Sequence, residues 1–183
     1  MTPADHHRAV AGRFTDVVDG VTDWSAPTPV PEWSTRAVVG HLVEWLPALL
    51  ASDDVLLPPG PSVADDPAAA WHHHAAAVQT LLDADDAARP FTHQHLGTRP
   101  LDEAIDRFYT GDVFLHTWDL ARASGQDDRL DPATCAEMLA GMEPIEELMR
   151  SSGQYGPSVP VPDDADVQDR LLGFIGRDPS WRP

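Results

Sequence analysis

The sequence predicts an all-helical fold, a bundle of four main helices with shorter helical segments toward the C-terminus. Apolar side chains recur at the i, i+4, i+7 and i+8 positions of one helix face over several stretches. Two of those stretches open on Asp-Pro pairs, at Asp66-Pro67 and Asp131-Pro132, in the N-cap and first-turn order of a helix start. No segment sustains the strict alternation of a half-buried strand.

A first helix is expected over residues 4–21, with Val10, Phe14, Val17, Val18 and Val21 on one stripe. His6 and His7 fall at its frayed start and are expected in solvent. Residues 23–33 carry three prolines, each of which removes a backbone donor and biases its predecessor to extended geometry, so this segment is a loop. Trp24 and Trp33 are expected to pin it to the bundle. Ser34 or Thr35 caps a second helix through about Leu50, burying Val38, Leu42, Trp45, Leu46 and Leu49 around His41. Pro47 should loosen that helix near the carbonyl of Val43.

The loop from Ser52 to Ala64 is long for a compact domain and is read as a pocket rim. The third helix, from Pro67, carries Trp71, His72, His73, His74, Val78, Leu81 and Leu82. At about 100 degrees per residue its three histidines fan out too widely to share one ion, and one of them faces the core. Residues 83–99 read as an acidic loop holding His93-Gln-His95, a weak chelating pair. A fourth helix spans 101–124, with Ile105, Phe108, Asp112, Leu115, His116, Asp119 and Ala123 on one broad face. A fifth runs from Pro132 to about Met149, interrupted at Pro144, with Met138, Leu139, Met142, Ile145 and Leu148 inward. After a Gly/Pro-rich linker, a short sixth helix spans Val167 to Ile175. The chain of 183 residues is read as one domain, with a core bundle over about 4–150 and a tail over 151–183.

Thirty acidic against 12 basic side chains give a formal charge of -18, which excludes nucleic acid as a partner. No run approaches the ~18 apolar residues of a membrane span, and the first residues lack the regions of a signal peptide. A cytoplasmic protein, monomer or homodimer, is expected. The lone Cys135 rules out an intramolecular disulfide and a Cys-rich metal site, and in an amphipathic helix it is read as a packed residue.

The chemistry concentrates in Asp112-Val-Phe-Leu-His116-Thr-Trp-Asp119-Leu-Ala-Arg122. Positions four apart lie one above the other on a helix, so Asp112 and His116 can reach one point, as metal ligands or as a buried His paired with an Asp. His41 is similarly set in the second helix.

Three blocks then carry a resemblance. They are Asp23-Trp24 through Pro-Glu-Trp33-Ser-Thr-Arg36 to His41-Leu, then Asp112-x-x-x-His116-Thr-Trp118-Asp119-Leu120-Ala-Arg122, then Arg170-Leu-Leu with Gly176-Arg-Asp-Pro-x-Trp181. Together, over about Trp24 to Trp181, they resemble the actinobacterial branch of the mycothiol-dependent maleylpyruvate isomerase N-terminal domain family, a relative of the DinB-like metal-binding bundles. The resemblance implies a four-helix bundle that binds one divalent ion through His41, Asp112 and His116. The isomerase has Glu where this chain has Asp112, and it has a further C-terminal domain where this sequence closes with a Gly-Arg-Asp-Pro tail.

Two His and one carboxylate are the ligand set of catalytic zinc and open non-haem iron sites, so zinc leads, with nickel and iron as alternatives. The leading reading is a thiol-dependent transferase or isomerase in which the ion activates mycothiol, or a related small thiol, toward a small electrophile. Trp45, Trp71 and the loop from Ser52 to Ala64 are expected to wall the pocket. Asp119 would orient an imidazole N–H and Arg122 would meet a carboxylate of thiol or substrate, unless the two simply form an ion pair. Alternatives are a metal-dependent hydrolase and a non-catalytic metal-binding, stress-associated module.

Overall fold

The computed structural model describes every residue except 95, 96, 152 and 154. The chain is mainly helical, with one small antiparallel sheet. In chain order the elements are α1 (Pro3–Asp19), α2 (Thr35–Leu50), α3 (Pro67–Leu82), β1 (Pro90–His93), β2 (Gly97–Pro100), α4 (Leu101–Ala104), α5 (Gly111–Ala123), α6 (Pro132–Met142), α7 (Glu146–Ser151) and α8 (Val167–Phe174).

Capping chemistry fixes the starts. The side chains of Ser34, Asp66, Asp131 and Asp166 accept hydrogen bonds from the N–H groups of Ala37, Ala69, Thr134 and Asp169, at the heads of α2, α3, α6 and α8. Between α4 and α5 the backbone stays helical through a π-helical turn, Ile105–Thr110, so the three pieces form one continuous rod. That turn shifts the register just before Asp112 and turns both Tyr109 and Thr110 inward.

Helix α1 packs on α3 and α5, and α2 packs on the same two. Their shared core contains Phe14, Val18, Val38, Leu42, Leu46, Trp71, Val78, Ile105 and Val113. A second apolar cluster joins the outer face of α5 to α6 and α8 through Leu115, Trp118, Cys135, Leu139, Leu171 and Leu172. No helix among the described residues is long and apolar enough to cross a membrane.

Four expectations are corrected. The segment read as an acidic loop contains a hairpin, with Phe91 opposite Arg99 and Thr92 opposite Thr98. Its strands are four residues long, and Phe91 alone of β1 reaches the core, too little for an alternating pattern to register. His7 is buried, not solvated, because α1 begins a turn before it and tucks it against Thr110, while His6 pairs with Asp106. Ile145 and Leu148 point outward, and Met149 faces in. The 3-10 turn at Glu143–Ile145, over Pro144, rotates the face that a straight α-helix would have kept. Last, the loop after α2 rims a cavity with Val43, Pro47, Ala70, His73 and His74, on a different side of α2 from the face that carries His41. Of the His93-Gln-His95 pair, His95 lies outside the described residues.

Candidate metal centre

The site forms where α2 meets α5. His41 projects from the middle of α2, and Asp112 and His116 stand one turn apart on α5. One donor atom from each lies within 4.8 Å of the other two. Asp112 Oδ2 is 2.9 Å from His41 Nε2, and Asp112 Oδ1 is 3.5 Å from His116 Nε2. Two imidazole nitrogens and a carboxylate oxygen at this separation fit a divalent cation, whose ligands sit about 2.0–2.2 Å from it. Burial is graded across the site. The side chain of His116 is 6% exposed and that of His41 31%, so the cluster opens toward solvent on the α2 side.

Around these three lies a supporting ring. His116 Nδ1 is 2.8 Å from Asp119 Oδ2, a geometry that places the ring proton on Nδ1 and aims Nε2 at Asp112. Arg177, arriving from the turn after α8, donates from Nε and Nη2 to the two oxygens of Asp119 at 2.9 and 3.1 Å. Trp45 donates its indole N–H to Asp112 Oδ2 at 3.0 Å. Trp33 covers both imidazoles, nearly parallel to His116 with ring centroids 5.7 Å apart and 4.9 Å from His41. Its loop is held by the Thr28 N–H to Trp33 carbonyl bond and by the Thr35 hydroxyl donating to the Asp23 carbonyl.

Electrostatics follow from this packing. Burial alone would raise the Asp112 carboxyl, but the charge of His116, with hydrogen bonds from His41 and Trp45, holds it below the usual carboxylate range. Burial would lower His116, and the flanking Asp112 and Asp119 reverse that and raise it. Asp119 is likewise desolvated yet held low by His116 and Arg177.

Trp45 and Asp119 therefore stand beside the cluster, whereas Trp71 and Arg122 do not. Trp71 sits on the α1 side of α3, where its N–H donates to Thr15 and its ring meets Phe14 edge-on at 4.5 Å. Arg122 lies over the Trp118 ring and pairs with Asp128, so its charge is turned away from the imidazoles. Trp33 and Arg177 were legible only as parts of wider patterns. Trp33 directly precedes the helix cap Ser34, a position that packs back on the first turns, and Arg177 belongs to the Gly-Arg-Asp-Pro segment.

The model of the mycothiol maleylpyruvate isomerase N-terminal domain matches residues 7–121, a span that includes His41, Asp112 and His116 and stops short of Arg177. Two uncharacterised proteins of Mycobacterium tuberculosis, from strains CDC 1551 / Oshkosh and ATCC 25618 / H37Rv, are each 29% identical to the chain over 188 residues. Those alignments cover 97% of this chain and 98% of each relative. No solved structure matches. The match takes in well over half of the chain, and with it the chain belongs to the mycothiol maleylpyruvate isomerase N-terminal domain family.

Proposed function

We propose that His41, Asp112 and His116 hold one divalent cation, zinc first among the candidates, and that the protein is a transferase or isomerase using mycothiol or a similar small thiol. The observation that carries this reading is the cluster itself, three donor atoms of a known catalytic ligand set within 4.8 Å of one another. Family membership supports the thiol. The mutual packing of α1, α2, α3 and α5 supports a four-helix bundle of DinB type as the scaffold.

A bound divalent cation supplies acidification of a coordinated thiol, so that a thiolate is available at neutral pH. The chain's own residues do the rest. Asp119 fixes the tautomer of His116 and Arg177 fixes Asp119, while Trp33 and Trp45 exclude water from the buried side of the cluster. Half-exposed His41 marks the side from which a small thiol and its electrophile approach.

Thermal melting tests the reading. Zinc at about 100 times its Kd should raise Tm by roughly 5–11 °C. Added mycothiol should raise it further only when zinc is present. Stabilisation by zinc with no response to thiol would leave a hydrolase or a non-catalytic metal module in place of the transferase, and no response to zinc would remove the metal centre.

A further inference from the structure

A second buried polar cluster lies behind Trp45. His7 of α1, His74 of α3 and Tyr109 of the π-helical turn are 0, 4 and 0% exposed. The Tyr109 ring touches both imidazoles, with centroids 5.9 Å from His7 and 5.6 Å from His74. His7 Nδ1 is 3.2 Å from the Thr110 hydroxyl. Yet His7 Nε2, His74 Nε2 and the Tyr109 hydroxyl have no hydrogen-bond partner among the described residues. A bare buried polar group forfeits its hydration and gets nothing in return. Native proteins pair such groups almost without exception, with protein atoms or with a bound molecule.

We propose that His7, His74 and Tyr109 form an internal binding site for a small uncharged hydroxylic molecule, which is water in the resting protein. One such molecule can both donate and accept, matching a set made of two imidazole nitrogens and a phenol. Charge argues against an ion. Burial pushes both imidazoles down to about 4 and the phenol well above 10, so all three are neutral at pH 7 and offer no countercharge. An unpaired ion in this interior would cost far more than it gained.

His74 also lines the cavity of about 240 Å³ rimmed by Leu57 to Pro61, so that cavity reaches one edge of the site. The site adjoins the metal cluster without sharing a residue with it. Tyr109 contacts the Trp45 ring at 5.6 Å, and Trp45 donates to Asp112. The assignment is therefore independent of the metal reading.

A crystal structure of the intact chain at a resolution that shows ordered water tests it. Density is expected within hydrogen-bonding reach of the Tyr109 hydroxyl and of at least one of the two Nε2 atoms. Empty density there overturns the proposal, as does an anomalous peak marking a transition metal. Tyr109→Phe gives a second test by the sign of its effect. Losing a satisfied hydroxyl lowers Tm by roughly 2–6 °C, whereas a rise in Tm would mean that a bare hydroxyl had been removed and would refute the site.

Discussion

Arg177 grips both carboxylate oxygens of Asp119, and Asp119 in turn holds the Nδ1 of His116. The segment after α8 thereby reaches a metal-ligand candidate through one buried carboxylate. Groups that orient a ligating histidine typically contribute 10–100-fold to metal affinity. Asp119→Ala is therefore expected to weaken zinc binding by about 10–100-fold, and Arg177→Met by several-fold to about 10-fold. Isothermal titration on the folded variants checks both. An unchanged Kd in Asp119→Ala would show that the imidazole needs no support.

Removal of a ligand should act more strongly. His41→Ala and His116→Ala are each expected to lose at least about 100-fold in zinc affinity and to abolish the one-ion stoichiometry. Metal content after dialysis, measured by atomic emission, gives the answer. A His116→Ala protein that still retained one ion per chain would place the site elsewhere.

Acid should destabilise the metal-free protein through His7 and His74. Burial lowers both to about 4 in the folded state from an ordinary 6.5. Between those values the unfolded chain binds protons that the folded chain refuses, so the contribution of these two residues falls as pH drops from about 6.5 and levels off below about 4. Each residue contributes a loss of up to about 3 kcal/mol across that window. Urea unfolding at pH 7, 5.5 and 4.5 measures the slope, and His74→Leu should flatten it by about half. A slope unaffected by that variant would mean that His74 already protonates in the folded protein.

Cys135 is buried, and desolvation pushes its thiol up to about 11. Thiolate is the reactive species, so native protein at pH 7.5 should resist iodoacetamide while the urea-unfolded chain is alkylated within minutes. Mass spectrometry of timed samples distinguishes the two, and rapid labelling of the native form would contradict the packed environment.

Much of this was legible in the residues because the deciding interactions are local. Ser34, Asp66 and Asp131 announce helix starts through contacts three residues away. Asp112 and His116 announce a shared face through one helical turn. What escaped depends on long-range packing or on a change of helical register. Whether a tryptophan on α3 faces α1 or the metal cluster is decided by tertiary contacts, and Trp71 faces α1. Arg122, one turn from Asp119, is the partner that spacing offers, yet the fold pairs Arg122 with Asp128 and gives Asp119 to Arg177. The burial of His7 rests on a distant contact with Thr110, the outward turn of Leu148 on the register change at Glu143–Ile145, and the Pro90–His93 strand is too short for its alternation to register.

The separation of 58 positions between Asp119 and Arg177 also sets an order of assembly. At 5–20 residues per second, a ribosome that has just added the aspartate needs roughly 3–12 s to add the arginine. During that interval α5 can coil, but its inward acid has only His116 and lacks the guanidinium that grips both of its oxygens in the folded chain. Nascent chains stalled before Arg177 should therefore capture zinc poorly, and any loading should be completed only after the final helix has docked.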